Sequence, residues 1–486
     1  MTKYASMFLA LGTFFLACSS TGVAQVHKHA NDHAHHQHGP IAVKPAEMYA
    51  PTAMPDRIIL TLNEDPRTTQ TVNWRTSVDV ATALVQIAEA EVGPKFVEKA
   101  TQHIANSQAL KSDINTAHYH NFTFRELKPG ATYAYRVGDG VNWSEWFHFQ
   151  TAPAEDSEFS FVYFGDAQNN IRSLWSRVIR KAYQDAPKAA FILHAGDLVN
   201  HANSDAEWGE WFGAGGWLNA MTPSVAIPGN HEYVNNKDRR RLSEHWRKVF
   251  TFPENGPPGL EETCFTMTYQ NMRIIGMNSL RMHEEQAEWL DDVLAANESE
   301  WVICTFHFPI FSTGKGRDNS AQRAVWKPIF DKHKVDLVLQ GHDHTYGRTQ
   351  FKVPGANEPF EESETANEDQ TEPVGHENSA TGKQHVDEET GTIYVVSVSG
   401  PKMYDNNRFD FMKRVAEDTQ LYQIIHIDGD RLRFEARTAI GELYDAFELE
   451  KQDGDINKLI EIEPEVPQNL RPLKTEKAPE KQLQKH

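Results

Sequence analysis

The sequence predicts two folded regions in series, an all-β sandwich over residues 56–152 and a layered α/β domain over residues 158–450. Three observations carry this. Short apolar runs separated by turn residues fill the first region. In the second, apolar runs alternate with helical periodicity. Most of those later runs end in a polar residue beside a glycine. At 486 residues the chain is also too long for one ordinary core.

In the first region, Ile58, Ile59, Leu60 and Leu62 form one strand and residues 72–74 another. Residues 118–124, 133–137 and 146–149 continue the series. Leu127-Lys-Pro-Gly-Ala-Thr-Tyr133 has the form of a tyrosine corner, whose hydroxyl ties back to the upstream backbone. With Trp74 as a core residue, the region resembles a fibronectin type III module. Residues 81–110 are longer and more helix-prone than a simple sandwich requires, and stand outside the pattern.

The second region has strand-like runs at 159–164, 190–193, 225–227, 273–277, 301–306, 335–339 and 392–398. Helical periodicity is clearest at 171–183 and at 285–294, where Trp289, Leu290, Val293 and Leu294 share a face. Residues 356–390 interrupt the pattern as an acidic insertion loop, and 451–486 read as a polar tail. Between Glu358 and Glu389 eleven acidic residues face one lysine, so this stretch carries half of the net charge of −20. That balance argues against nucleic-acid binding, since a phosphate backbone would be repelled.

Residues 1–24 read as an export signal. Lys3 precedes an apolar run at 7–17, far shorter than the roughly 20 residues a membrane span needs. Two cleavage readings stand open. Phe15-Leu-Ala-Cys18 resembles a lipobox, which would lipidate Cys18 and make it the only membrane anchor; Gly22-Val-Ala24 suits ordinary signal peptidase. Both export the protein, to the periplasm, the outer membrane as a lipoprotein, or the exterior. Residues 25–55 form a flexible linker whose His27, His29, His33, His35, His36 and His38 give a high local density of metal ligands. Export permits a disulfide. Cys304, however, sits in an apolar run, where a free buried thiol is the commoner outcome.

The chemistry lies in what ends the strands. Residues 159–164 run into Gly165-Asp166, 190–193 into Gly196-Asp197, and 225–227 into Gly229-Asn230-His231-Glu232. Residues 301–306 run into His307, and 335–339 into Gly341-His342-Asp343-His344. Singly, each has a bland reading, as a turn residue, a helix cap or a core histidine. Together they place carboxylate, amide and imidazole donors at one sheet edge, a mixed set suited to Fe, Mn or Zn. Two such ions would clamp phosphate oxygens and lower the pKa of bound water. The adjacent glycines let backbone and side chains approach closely.

These five blocks, in this order, resemble the calcineurin-like metallophosphoesterases, and within them the purple acid phosphatase group with its N-terminal fibronectin-like module. The resemblance implies a four-layer α/β/β/α domain with two packed mixed sheets. It implies one ion held by Asp166, Asp197 and His344, and a second by Asp197, Asn230, His307 and His342. His231 matches the family's substrate-binding general acid. The implied activity is that of an acid phosphatase-like phosphomonoesterase using a dinuclear centre and metal-bound hydroxide on a small phosphoester. A phosphodiesterase or nucleotide pyrophosphatase on the same site is the alternative, and a non-catalytic metal-binding surface protein the third reading. Two positions depart from the family. Its second block carries a metal-ligating tyrosine where this chain has Asn200, so no purple colour is expected. Its first block reads Asp-x-Gly where this chain has Asp166-Ala-Gln168, so Gln168 is a candidate to touch substrate. Asn200 and His201 are further substrate candidates, while Tyr346, Arg348 and the tryptophans 208, 211 and 217 suit structural roles. Oligomeric state is open.

Overall fold

Alternation of side chains along the strands decides the architecture. The computed structural model describes residues 42–236, 239–358, 360 and 391–472. The export signal with Cys18, the six leader histidines, nearly all of the acidic insertion and residues 473–486 lie outside the described residues.

After the short helix α1 (Pro45–Met48), the module comprises β1 (Asp56–Thr61), β2 (Gln70–Ser77), β3 (Leu84–Glu89) and β4 (Thr101–Ile104). It continues with β5 (Asn106–Lys111), β6 (Thr116–Phe124), β7 (Thr132–Gly138) and β8 (Phe147–Gln150). One sheet has the order β4-β3-β7-β8; the other includes β1-β2-β6-β5. Leu60, Trp74, Val85, Tyr135 and Phe149 fill the space between them. The Tyr133 hydroxyl accepts the Lys128 N–H at 2.9 Å, closing the tyrosine corner. The segment 81–110 is not helical apart from a 3₁₀ turn at Pro94–Lys99; it supplies β3, β4 and β5.

The second region opens with β9 (Phe159–Phe164), a π turn at Ile171–Trp175, α2 (Ser176–Asp185), β10 (Ile192–His194), α3 (Asp205–Gly215) and β11 (Ser224–Ala226). A hairpin of β12 (Tyr233–Asn236) and β13 (Arg239–Leu242) leads to α4 (Trp246–Val249). Next come β14 (Phe265–Tyr269), β15 (Met272–Gly276), α5 (His283–Ala295), β16 (Trp301–Phe306), α6 (Ser320–His333), β17 (Leu337–Gln340) and β18 (Tyr346–Thr349). The chain ends with β19 (Ile393–Val396), β20 (Met412–Ala416), β21 (Leu421–Asp428), β22 (Arg431–Thr438), β23 (Leu443–Glu450) and β24 (Lys458–Ile462).

These strands build two mixed sheets. One has the order β14-β15-β16-β17-β19-β18-β20. Ile274, Ile303, Leu337, Leu339 and Val395 point from it toward the other sheet. Their neighbours Ile275, Val302, Cys304, Val338 and Tyr394 point the opposite way, onto Leu290 and Leu294 of α5 and Trp326 and Phe330 of α6. The second sheet carries α2 and α3 on its outer face, so the layers run α/β/β/α. Its order is β24-β23-β22-β21-β9-β10-β11-β1-β2-β6-β5. Two features differ from the sequence reading. The region read as a polar tail contributes the edge strand β24, paired with β23. And β1 of the module lies parallel to β11, so one sheet crosses the boundary drawn at 152–158. Cys264 and Cys304 are free, buried thiols. No helix among the described residues is long and apolar enough to cross a membrane.

Candidate metal centre

The parallel strands β9, β10 and β11 of one sheet and β16 and β17 of the other release their chains into one cluster of loops. Asp166 follows β9, Asp197 follows β10, and Asn230 opens the turn after β11. His307 follows β16 directly, and His342 and His344 follow β17. Asp197, His307 and His342 each bring a ligand atom within 4.8 Å of the others. His307 Nε2 lies 3.0 Å from Asp197 Oδ2 and 3.2 Å from Asn230 Oδ1. His344 Nε2 lies 3.7 Å from Asp166 Oδ1, and the other Asp166 oxygen accepts the His342 N–H at 2.6 Å. All six residues singled out as ligands meet here.

The surrounding backbone aims them. His307 Nδ1 donates to the Ala195 carbonyl at 2.8 Å, and His344 Nδ1 to the Lys402 carbonyl at 2.9 Å. A carbonyl can only accept, so each ring keeps a proton on Nδ1 and turns Nε2 inward. Asp197 and His342 both hold positive φ, 51° and 69°, a strained conformation tolerated where function over-determines it. At Gly341 a Cβ would lie 2.7 Å from Asp166 Oδ2, so only glycine permits this approach.

Asp166 Oδ1 is buried without a hydrogen-bond partner among the described residues. Burial, with Asp197 beside it, drives its carboxyl well above the usual range. Burial would do the same to Asp197, but the charge of His307 outweighs it and holds that carboxyl below the usual range. Burial pushes His344 down to about 4. Two buried carboxylates among inward-facing imidazole nitrogens form a site that a cation would complete, and the oxygen and nitrogen donors fit Fe, Mn or Zn.

His231 stands at the rim. Its backbone N–H donates to Asp197 Oδ1 at 2.8 Å, and its Nδ1 donates to the Asn200 carbonyl at 2.6 Å, so Nε2 is the ring nitrogen that these bonds leave unengaged. Asn200 thus serves through its backbone; its side chain meets Asn169 and His201. The exposed His201 ring binds Glu207 of α3 at 2.6 Å. Gln168 is inside the ligand cluster, its Nε2 donating to Asp197 Oδ2 at 3.0 Å.

Sequence reasoning quoted Glu232 without giving it a role. Its buried carboxylate accepts the N–H groups of Gly229, Asp197 and Leu198, at 2.7, 2.8 and 2.8 Å, and so clamps two ligand loops together. Arg317 was missed. Its Nη1 lies 2.7 Å from His342 Nε2 and 2.8 Å from Asp343 Oδ1, and its guanidinium stacks over Tyr404. The signal was a basic, glycine-rich loop, Gly314-Lys-Gly-Arg317, ten residues after His307. Arg348 and Tyr346 both bind Asp445 in structural roles. Trp208 and Trp211 are core residues, whereas Trp217 is half exposed.

Family comparison agrees with this architecture. Residues 55–151 match the purple acid phosphatase N-terminal domain, and residues 159–346 the calcineurin-like phosphoesterases. Purple acid phosphatase 1 of Ipomoea batatas is 23% identical over 296 residues, which span 57% of this chain and 61% of the relative. An Arabidopsis thaliana relative, Fe(3+)-Zn(2+) purple acid phosphatase 12, is 22% identical over 54% of this chain and 61% of its own length. The alignments thus span about three fifths of each of these relatives. A solved purple acid phosphatase from yellow lupin (Lupinus luteus) seeds shares the fold, with a TM-score of 0.61 and 18% identity over 82% of this chain and 74% of that one. With both domains matched in order and the ligand blocks converging at one site, the chain belongs to the calcineurin-like metallophosphoesterases, in their purple acid phosphatase-like group.

Proposed function

We infer that the protein is an exported, metal-dependent phosphoric ester hydrolase of the acid phosphatase type, acting on small phosphomonoesters. The observation that carries this is the convergence of Asp166, Asp197, Asn230, His307, His342 and His344 beside the oriented His231. A bound pair of Fe, Mn or Zn ions would supply charge stabilisation at the phosphoryl oxygens and a water of lowered pKa. The iron and zinc in the name of one relative support that choice of metals. His231, with Nδ1 committed to Asn200, has Nε2 available to protonate the leaving alkoxide. Arg317 adds a positive charge at the rim, where an anionic ester would approach. Export rests on the apolar leader at 7–17 and on either of its two cleavage signals. A phosphodiesterase shares the same ligands. Turnover of p-nitrophenyl phosphate against its bis-ester, with Mn, Zn or Fe added, decides between them, and inertness toward both would defeat the proposal.

Two further results are expected. His231→Ala should keep its metal and lose roughly 10²- to 10⁴-fold in kcat. Wild-type turnover in that variant would remove His231 from the reaction. Asn200→Tyr loaded with iron should gain a visible absorption band, because a phenolate would replace an amide at the family's tyrosine position. A colourless iron-loaded variant would place residue 200 out of reach of the metal.

A further inference from the structure

Gln168 is a polar side chain inside the cluster to which the ligand scheme gives no task. It is 1% exposed. Its Nε2 lies 3.0 Å from Asp197 Oδ2 and 3.0 Å from His344 Nε2, two atoms assigned to the same ion. Its Oε1 is buried without a hydrogen-bond partner among the described residues. The backbone beneath it is fixed, since its N–H donates to the Asp197 carbonyl at 3.1 Å and a Cβ at Gly400 would lie 2.6 Å from its carbonyl oxygen. The side chain therefore has little freedom to leave, and only its amide end can turn.

The geometry points to Gln168 as a fourth protein ligand, through its amide oxygen, to the ion held by Asp166, Asp197 and His344. This rests on the dinuclear reading above. Without a cation, the amide NH₂ bridges two converging lone pairs. Opposite a cation those N–H dipoles face the wrong way, and a half-turn about the last torsion, which is broad and two-fold, presents Oε1 instead. The two orientations have nearly the same shape. The turn gives the orphaned oxygen a partner and the ion a donor.

The rest of the site calls for such a ligand. The family's tyrosine position holds Asn200, whose side chain is taken up by Asn169 and His201. Without Gln168 the first ion would have three protein ligands. An amide oxygen is neutral where a phenolate is anionic, so this ligand set favours a divalent ion over a ferric one. A substrate-facing role suits Gln168 poorly, because the side chain is buried and its donors already point at the ligands. A mere filler would have no reason to bury an unpaired carbonyl.

The test is metal binding, with no turnover measured. The full-length protein, stripped by chelator, is titrated with Mn²⁺ by calorimetry and followed by electron paramagnetic resonance. The wild type should take up two ions and show a spin-coupled pair. Gln168→Leu should weaken one site by roughly 10- to 100-fold or more and leave a mononuclear signal. Gln168→Glu keeps both the shape and an oxygen donor, and should restore two-site binding. Two coupled ions bound by Gln168→Leu as tightly as by the wild type would overturn the assignment, as would equal loss in the Gln168→Leu and Gln168→Glu variants. If Gln168→Leu fails to fold, seen as a lost circular dichroism spectrum, Gln168→Ala replaces it with the same expectations. Failure of the wild type to bind a second ion would bring down the dinuclear reading itself, and this ligand with it.

Discussion

Asp197→Asn is expected to empty the site of metal and to lower kcat/KM on p-nitrophenyl phosphate by roughly 10³-fold or more. The substitution preserves shape, so the loss is chemical. Asp197 Oδ2 lies 3.0 Å from His307 Nε2, and Oδ1 accepts the His231 N–H at 2.8 Å. An amide offers one oxygen where two are needed. With nitrogen toward His307, the bridging donor becomes an N–H. With nitrogen toward His231, two donors oppose each other. Either way the −1 charge that offsets a cation is gone. Metal analysis of the dialysed variant beside its kinetics checks this, and two retained ions with wild-type turnover would refute the bridging role.

The second large effect lies in stability, where the module meets α3. Asp205→Ala should destabilise the fold by about 3–5 kcal/mol. Asp205 is buried and accepts Arg57 of β1 at 2.6 Å and Arg75 of β2 at 3.1 Å; His245 lies 3.5 Å away. Removing it strands two buried guanidinium groups, and only Arg75 keeps another carboxylate, Asp56 at 2.6 Å. Burial by itself would raise the Asp205 carboxyl, but His245, Arg57 and Arg75 outweigh burial and hold it below the usual range. A depressed carboxyl stabilises above the unfolded pKa, near 4, and its contribution fades as pH falls toward the folded value. The difference between Asp205→Ala and the wild type should therefore be full at pH 6 and shrink below about pH 4. Denaturant titrations at the two pH values measure it, and a difference under about 1 kcal/mol at pH 6 would contradict the prediction.

The ligands were legible because each follows an apolar strand at once, most with glycine beside it, so that sequence order and spatial order coincide. Asp166, Asp197, His307 and the 342–344 pair needed no knowledge of tertiary contact. Gln168 and Arg317 did. Gln168 stood out in the sequence as a departure facing substrate, and its place among the ligands shows only in the 3.0 Å contacts to Asp197 and His344, residues 29 and 176 positions away. Arg317 sits on a loop whose composition alone suggests a flexible turn. The strands β4 and β5 were illegible for another reason: every residue of β4 and all but Leu110 of β5 are exposed, so no alternation marks them as strands. The strand β24 hid likewise, with no residue of it fully buried at the sheet edge. Contact between β1 and β11 joins Thr61 to Ser224, a separation that no local pattern encodes.

That last contact bears on how the protein can be divided. The family models part the chain between residues 151 and 159. Severing it there would leave β11 with unpaired backbone along one side and Asp205 without its arginines. A liberated catalytic half would present an adhesive border, ready to capture a strand from any neighbour, including its own kind. The seam between the two halves is a border in sequence only, and a scissor placed on it would cut through a continuous fabric.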